Sequence, residues 1–179
     1  MKEKAKQILQ YKFFVFLVIV VVFVLVIREF VGGIVVIQGE SMVPALGNGD
    51  IVFVEKISYR NNEPERNDIV VVTTDATGEK TQYVKRIIGL PGETIRIKKG
   101  KVFINGKELN EIQAFDLIED GGMAREKIIL GEDEYFLLGD NRNNSKDSRN
   151  VELGIVKKDQ MEGKVSVRIY PFGKIGKIK

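Results

Sequence analysis

The chain has 179 residues and a formal net charge of +3, and it contains neither histidine nor cysteine. This length suits one ordinary domain with an appendage. The missing residue types exclude disulfides, a thiolate nucleophile, a Ser-His-Asp triad and a Cys or His metal cluster, so we expect no metal and no cofactor. The lysines are spread along the chain, which disfavours nucleic-acid binding. Any hydrolytic chemistry must therefore use Ser, Thr, Lys, Tyr, a carboxylate or a backbone group.

The first element is strongly apolar. Residues 13–27 read FFVFLVIVVVFVLVI, fifteen apolar side chains in succession. A membrane-spanning helix needs about 20 residues, and flanking residues can extend the run, so we predict a span over residues 13–30. A cleaved signal peptide is disfavoured because REFVGGIVVIQGE, which follows, offers no small-residue cleavage site. A buried core helix would need protein on every side.

The charges before the span predict its orientation. Lys2, Lys4, Lys6 and Lys12 cluster on the N-terminal side, and positive charge favours the cytoplasmic side. We therefore expect a single-pass protein of the cell membrane, with residues 1–12 in the cytoplasm and residues 31–179 as an extracytoplasmic domain.

Beyond residue 34, short β-branched runs alternate with turn residues. The pattern predicts a mainly β fold, an antiparallel, barrel-like domain following the N-terminal helix. Asn105-Gly106 predicts a type I′ hairpin, residues 156–161 a brief helix, and residues 110–133 a polar surface excursion. The predicted strands are 50–57, 68–74, 82–88, 94–98, 102–104, 134–138 and 164–170.

The stretch GESMVPAL, residues 39–46, places Ser41 on a Gly/Pro-bounded turn. A serine hydroxyl needs a base to become a nucleophile, and here that base must be a carboxylate or a lysine. A lysine with its ordinary pKa is only about 0.04% neutral at pH 7, so it must be buried to serve. On a strand, Lys85 shares a face with Tyr83 and Ile87. An exposed strand lysine is the simpler interpretation of that pattern alone.

A second polar stretch, GDNRNNSKDSR, occupies residues 139–149. It packs Asp140, Arg142, Asp147 and Arg149 among small residues directly after an apolar strand. Such a density of opposite charges fits either a rigid ion-pair network or a solvated loop.

Taken together, these segments resemble the bacterial type I signal peptidases, in the compact form of Gram-positive-like bacteria. The resemblance covers almost the whole chain in the family's order. It is carried by the apolar anchor, SMVPAL (41–46), GDIVFV (49–54), DIVVV (68–72), YVKRIIGLPGE (83–93) and GDNRNNSKDSR (139–149). The resemblance also implies the fold of that family and of the related repressor proteases.

The resemblance implies a role for each matching residue. Ser41 corresponds to the nucleophile and Lys85 to the general base of a Ser/Lys dyad, and Ser145 to a serine that helps to orient the lysine. Gly39 stands where some relatives carry a hydroxyl that completes the oxyanion hole. The charged residues implied to support the site are Arg86, Asp140, Arg142, Asp147 and Arg149.

The implied reaction is removal of signal peptides from exported preproteins, by cutting after small residues at −3 and −1. An extended substrate would join a shallow apolar groove as an added strand. The implied partners are therefore preprotein signal peptides, the lipid bilayer and the protein export channel, with no nucleic acid and no metal. The residues expected at the groove are Val35, Val36, Ile37, Met42, Pro44 and Tyr83.

Two other classes of protein are alternatives. A self-cleaving repressor of the related Ser/Lys fold should begin with a DNA-binding helix-turn-helix domain, whereas this chain begins with an apolar span. A catalytically inert, membrane-anchored β module that binds exported proteins would have no use for a desolvated lysine beside a serine.

Overall fold

The computed structural model describes residues 2–75, 78–111 and 115–178. The chain begins with a long helix, α1, and continues into twelve short strands with one short helix, α2, among the elements described. The bounds are α1 Lys2–Phe30, β1 Gly32–Val36, β2 Ile51–Glu55, α2 Ser58–Asn61, β3 Ile69–Thr74, β4 Thr81–Gly89, β5 Thr94–Lys98, β6 Lys101–Ile104, β7 Lys107–Glu108, β8 Ile128–Ile129, β9 Glu134–Leu138, β10 Val156–Lys157, β11 Met161–Tyr170 and β12 Gly176–Lys177.

Helix α1 projects from the β domain with its apolar side chains exposed. Within the described part of the chain, it is the one helix long and apolar enough to cross a membrane, over Lys6–Val26. Its Val, Ile, Phe and Leu residues surround the axis without a polar face, a pattern suited to lipid. The side chains of Lys2 and Lys4, used above to predict orientation, lie outside the described set.

Two antiparallel sheets form the β domain. The larger has the strand order β1-β2-β11-β3-β4-β9-β10, with β12 also paired to β11, and the smaller has the order β7-β6-β5-β8. The predicted mainly β, antiparallel fold with one N-terminal apolar helix is confirmed. Each predicted strand has a counterpart within a few residues of its expected bounds, because β-branched runs between turn residues favour the pleated backbone.

The core is divided among the faces of these sheets. Strand β3 is buried on both faces: Ile69 and Val71 pack in one hydrophobic cluster and Val70 and Val72 in another. A third cluster fills the inner face of the smaller sheet with residues of β5 and β6, including Ile95, against Phe136 and Leu138 of β9. The central strands β4 and β9 are therefore held on two sides.

Local sequence rules succeed at one turn and fail at another element. Asn105 and Gly106 have φ values of 51° and 81° between β6 and β7, as the predicted type I′ hairpin requires. The helix predicted over residues 156–161 is wrong. Those residues form strand β10, a 3₁₀ turn at Lys158–Gln160 and the start of β11, because Val156 is buried and pairs with Tyr135 of β9.

The predicted surface excursion over residues 110–133 is also partly wrong; residues 112–114 lie outside the described set. Ile118, Ala124 and Leu130 are buried in the cluster beneath the smaller sheet. Isolated apolar residues in a polar stretch lack periodicity, so the sequence pattern did not reveal that the segment packs on the core.

Candidate active site

Buried apolar side chains anchor the turn that carries Ser41. Met42 and Leu46 are buried side by side, and the Leu46 N–H donates to the Met42 carbonyl at 2.8 Å. Gly39 enters the turn with φ +82°, and its N–H donates to Asn48 Oδ1 at 2.9 Å. A glycine suits this left-handed backbone. The anchoring of its neighbours leaves Ser41 itself partly exposed on the turn.

Lys85, on β4, meets Ser41 directly. A hydrogen bond of 2.8 Å joins Lys85 Nζ and Ser41 Oγ, and Nζ also donates to the Val84 carbonyl at 2.9 Å. The Tyr83 ring centroid lies 5.7 Å from Nζ, on the strand face that the alternation predicts. Lys85 is only 3% exposed. Two residues separated by 44 positions in sequence are thus brought into contact where the lysine is almost fully shielded from solvent.

Two buried ion pairs flank this contact. Arg86 donates from Nε and Nη2 to the two carboxylate oxygens of Asp140, at 2.7 and 2.6 Å. Arg149 likewise donates from Nε and Nη2 to the two carboxylate oxygens of Asp147, both at 2.8 Å. Bidentate pairing satisfies both groups and fixes their geometry. Both carboxylates are therefore already neutralised by guanidinium groups next to the lysine.

Burial dominates the protonation of Lys85. It lowers the pKa of the ammonium from its ordinary 10.5 to about 8, although Asp147 and Asp140 pull it upward. Removing a cation from water disfavours its charged form. At pH 7, a pKa of about 8 leaves roughly 10% of the amine neutral, compared with about 0.03% at 10.5. The lysine is thus able to accept a proton near neutral pH.

Gly139 and Asn141 tie the polar loop to the serine turn. A Cβ placed on Gly139 would lie 2.1 Å from Ser145 Oγ and 2.5 Å from the Ser41 carbonyl oxygen. The Asn141 N–H donates to that same Ser41 carbonyl at 3.0 Å, and its side-chain amide donates to the Glu40 carbonyl at 3.2 Å. Sequence reasoning missed both roles, because contacts across 100 residues leave no local signal.

The other site residues fall in different places. Ser145 lies beside Gly139, and its Oγ is buried without a hydrogen-bond partner among the described residues, so its action on Lys85 stays a prediction. Arg142 bonds to Glu111 and to the Gly139 carbonyl rather than to the dyad. Among the residues described, no three carboxylates are grouped in a way that would hold a metal ion.

An open cavity of about 810 Å³ runs past Ser41 and Lys85. Val35, Val36 and Ile37 line one side and Tyr83 and its strand neighbours the other, with Met42 at the base. Pro44, also expected at the groove, is exposed and lies outside the lining of this cavity. The turn points Met42 and Leu46 inward, and this places the intervening Val43 and Pro44 on the outer surface.

The cavity is bordered by two unpaired strand edges. Within the described chain, β1 pairs only with β2. The residues of β4 before Arg86 pair with β3 on one edge and leave the other edge unpaired toward the cavity. Such edges present free backbone donors and acceptors that can bind an extended peptide.

Comparison with known proteins shows the family of the chain. The family described as "Signal peptidase, peptidase S26" matches residues 10–170. Signal peptidase I S of Bacillus subtilis (strain 168) is 39% identical over 173 residues, which cover 90% of this chain and 89% of that protein. The probable signal peptidase I-2 of Synechocystis sp. (strain ATCC 27184 / PCC 6803 / Kazusa) is 40% identical over 166 residues, which cover 89% of this chain and 73% of that protein.

Among solved structures, a signal peptidase I from Enterococcus faecalis V583 is 31% identical, with a TM-score of 0.45, covering 59% of this chain and 98% of that one. The family match extends over most of the chain, and the chain therefore belongs to the signal peptidase family, peptidase S26. It is a serine endopeptidase of that family, as the resemblance of its motifs predicted.

The close packing at Gly139 generates a first prediction. Gly139→Ala should lower activity by about 10²-fold, because the methyl group must displace Ser145 or the Ser41 backbone, and it should destabilise the fold by about 1–3 kcal/mol. Gly173→Ala is the matched control, since a Cβ there meets nothing within 4 Å. Thermal unfolding and peptide cleavage measure the two effects; wild-type cleavage by Gly139→Ala would contradict the packing argument.

Proposed function

We propose that this protein removes signal peptides from exported preproteins, with Ser41 as nucleophile and Lys85 as general base. The observation that carries the proposal is the 2.8 Å contact between Lys85 Nζ and Ser41 Oγ in a buried setting. The neutral amine accepts the hydroxyl proton while Oγ attacks the scissile carbonyl. The ammonium then protonates the departing amine as the C–N bond breaks, and a water deprotonated by Lys85 hydrolyses the resulting ester.

The oxyanion needs a preorganised donor. The Gly39 N–H is already bound to Asn48, and glycine has no side-chain hydroxyl. The Ser41 N–H has no acceptor among the residues described, so it is free to face the developing charge. We assign it as the principal oxyanion donor.

The flanking ion pairs serve as the framework of this chemistry. Asp147 accepts the Gly139 N–H at 3.0 Å as well as the Arg149 guanidinium, and Asp140 is held by Arg86. We assign these four charged residues to positioning, with Ser145, which packs beside Gly139, as a further support. Both carboxylates are paired with guanidinium groups, and burial outweighs their upward pull on the pKa of Lys85.

Substrate binding follows from the two unpaired edges. A signal peptide entering in extended form would bond to the backbone of β1 on one side and of β4 on the other. The groove walls are apolar where Val35, Ile37 and Tyr83 meet the cavity. A shallow apolar wall accepts small side chains on the alternate residues that face it, and we therefore propose a preference for small residues at −3 and −1.

The membrane arrangement completes the proposal. We assign residues 13–30 to a single-pass anchor, residues 1–12 to the cytoplasm and residues 31–179 to an extracytoplasmic catalytic domain. Val36, Ile51 and Tyr170 lie in one row across β1, β2 and β11, and Phe172 follows with 75% exposure. We place this apolar rim against the lipid surface. The export channel remains a candidate partner near that surface.

The two alternatives are less well supported. Membership of the signal peptidase family and the apolar first helix disfavour a self-cleaving repressor. An inert binding module would gain nothing from a desolvated lysine in contact with a serine, since burying an ionisable group lowers stability.

Replacement of either dyad residue should abolish processing. Ser41→Ala and Lys85→Ala should each lower kcat/KM by at least about 10³-fold, and the double variant should be about as inactive as either single one, because the two act as a unit. The measurement is incubation of detergent-solubilised protein with a preprotein, followed by the mass of the products. Lys98→Ala, on the outer face of β5, should cleave normally. Near-normal turnover by Lys85→Ala would eliminate the dyad.

The pH dependence of kcat/KM tests the protonation argument. The ammonium form of Lys85 cannot accept a proton, so the rate should fall about tenfold per unit below an apparent pKa near 8 and level off above it. A rate that still climbs steeply beyond pH 10 would show that the lysine is not desolvated.

The absence of cysteine permits a direct test of topology. Single cysteines introduced as Lys6→Cys and Lys98→Cys should react differently with a membrane-impermeant maleimide. We expect labelling of Lys98→Cys in intact cells and of Lys6→Cys only after permeabilisation, since positive residues before a span favour the cytoplasm. The opposite labelling pattern would reverse the proposed orientation.

A further inference from the structure

Arg142 is deeply buried yet contacts neither member of the proposed dyad. Its side chain is 1% exposed, and its Nη1 and Nη2 donate to the two carboxylate oxygens of Glu111 at 3.0 and 2.5 Å. The Phe115 ring covers the guanidinium, with its centroid 4.0 Å from Cζ. A buried guanidinium requires a counter-ion, and an aromatic face adds a cation–π attraction. Glu111 and Phe115 therefore form a clamp around Arg142.

The clamped arginine is joined to both ends of the polar loop. Arg142 Nε donates to the Gly139 carbonyl at 3.2 Å, and the Arg142 carbonyl accepts from Arg149 Nη2 at 2.6 Å. Gly139 in turn packs against the Ser41 carbonyl, which Asn141 binds. A shift of Arg142 would therefore displace the part of the loop that supports the serine turn.

The residues that follow Phe115 are also anchored by hydrogen bonds and burial. The Glu119 N–H donates to Asn143 Oδ1, and Asn143 Nδ2 donates to the Leu117 carbonyl, each at 3.0 Å. Ile118 is buried, and its N–H donates to the Gly100 carbonyl in the β5–β6 turn at 2.9 Å. This segment thus connects the smaller sheet to Asn143, which lines the cavity.

We infer that Glu111 and Phe115 are positioning residues for the polar loop over residues 139–149. They act through Arg142 to hold residues 139–145 in place beside Ser41 and Lys85. This inference rests on the proposed function for its kinetic consequence, although the clamp itself is a property of the fold. A misplacement of about 1 Å in a catalytic group can lower a rate about 10²-fold. Loss of the clamp should consequently lower kcat more than it changes KM.

The test uses the full-length protein with Glu111→Gln and Phe115→Leu. Each should lower kcat for preprotein cleavage by about tenfold or more and change KM by less than about threefold. Phe115→Tyr keeps the ring face and should restore wild-type kcat. Glu108→Gln is the matched carboxylate control, because Glu108 forms an exposed pair with Lys101 at 2.6 Å. Phe103→Leu, on the outer face of β6, is the aromatic control.

Amide hydrogen exchange distinguishes positioning from general stability. In Glu111→Gln, the amides of residues 139–149 should exchange at least about tenfold faster while those of β3 and β5 keep wild-type rates. Faster exchange throughout the chain, with kcat per folded molecule unchanged, would overturn the inference by making the clamp merely structural. Unchanged kcat and unchanged exchange in both variants would also overturn it.

The failure of the proposed function would look different. If wild-type protein did not cleave a preprotein, or if Lys85→Ala cleaved normally, the function or the dyad would be wrong. The exchange rates of residues 139–149 would still decide whether Glu111 and Phe115 hold the loop.

Discussion

The site depends on one contact, a lysine amine held against a serine hydroxyl where water has little access. In water, Lys85 would be charged and useless as a base; burial lowers its pKa to about 8. The surrounding protein must exclude solvent without offering an anion that restores the charge. Asp140 and Asp147 each have a guanidinium partner, in Arg86 and Arg149, and their upward pull on the Lys85 pKa is smaller than the lowering by burial.

A dry contact between two mobile side chains also needs a rigid frame. Strand β4, which carries Lys85, pairs with β3 along this stretch and with β9 from Arg86 onward, and the serine turn is anchored by Met42 and Leu46. The loop over residues 139–149 closes the frame, with Gly139 packed against the Ser41 backbone. Clamping of that loop through Arg142 extends the frame to the smaller sheet, so that the sheet serves the site without contacting it.

The placement of the frame next to an apolar helix suits a substrate that is itself membrane-bound. Helix α1 leads directly into β1, whose unpaired edge borders the cavity. In the membrane arrangement proposed above, a peptide that emerges from lipid in extended form would meet this strand edge. The short connection between the proposed anchor and the groove would then restrict where along such a peptide the serine acts.

The sequence by itself determined the elements and the residue types of the chemistry. Unbroken apolarity defined the helix, and β-branched runs and Asn105-Gly106 defined strands and a hairpin. The absence of histidine left a lysine or a carboxylate as the candidate base for Ser41. The tertiary structure decided what alternation and composition do not encode. The tertiary structure buries Lys85 beside Ser41 and leaves Pro44 outside the cavity lining. It also brings Glu111 and Phe115, from a stretch without periodicity, against Arg142. The reason is physical: desolvation and ion pairing depend on distances between residues far apart in the chain, whereas sequence patterns report only neighbours.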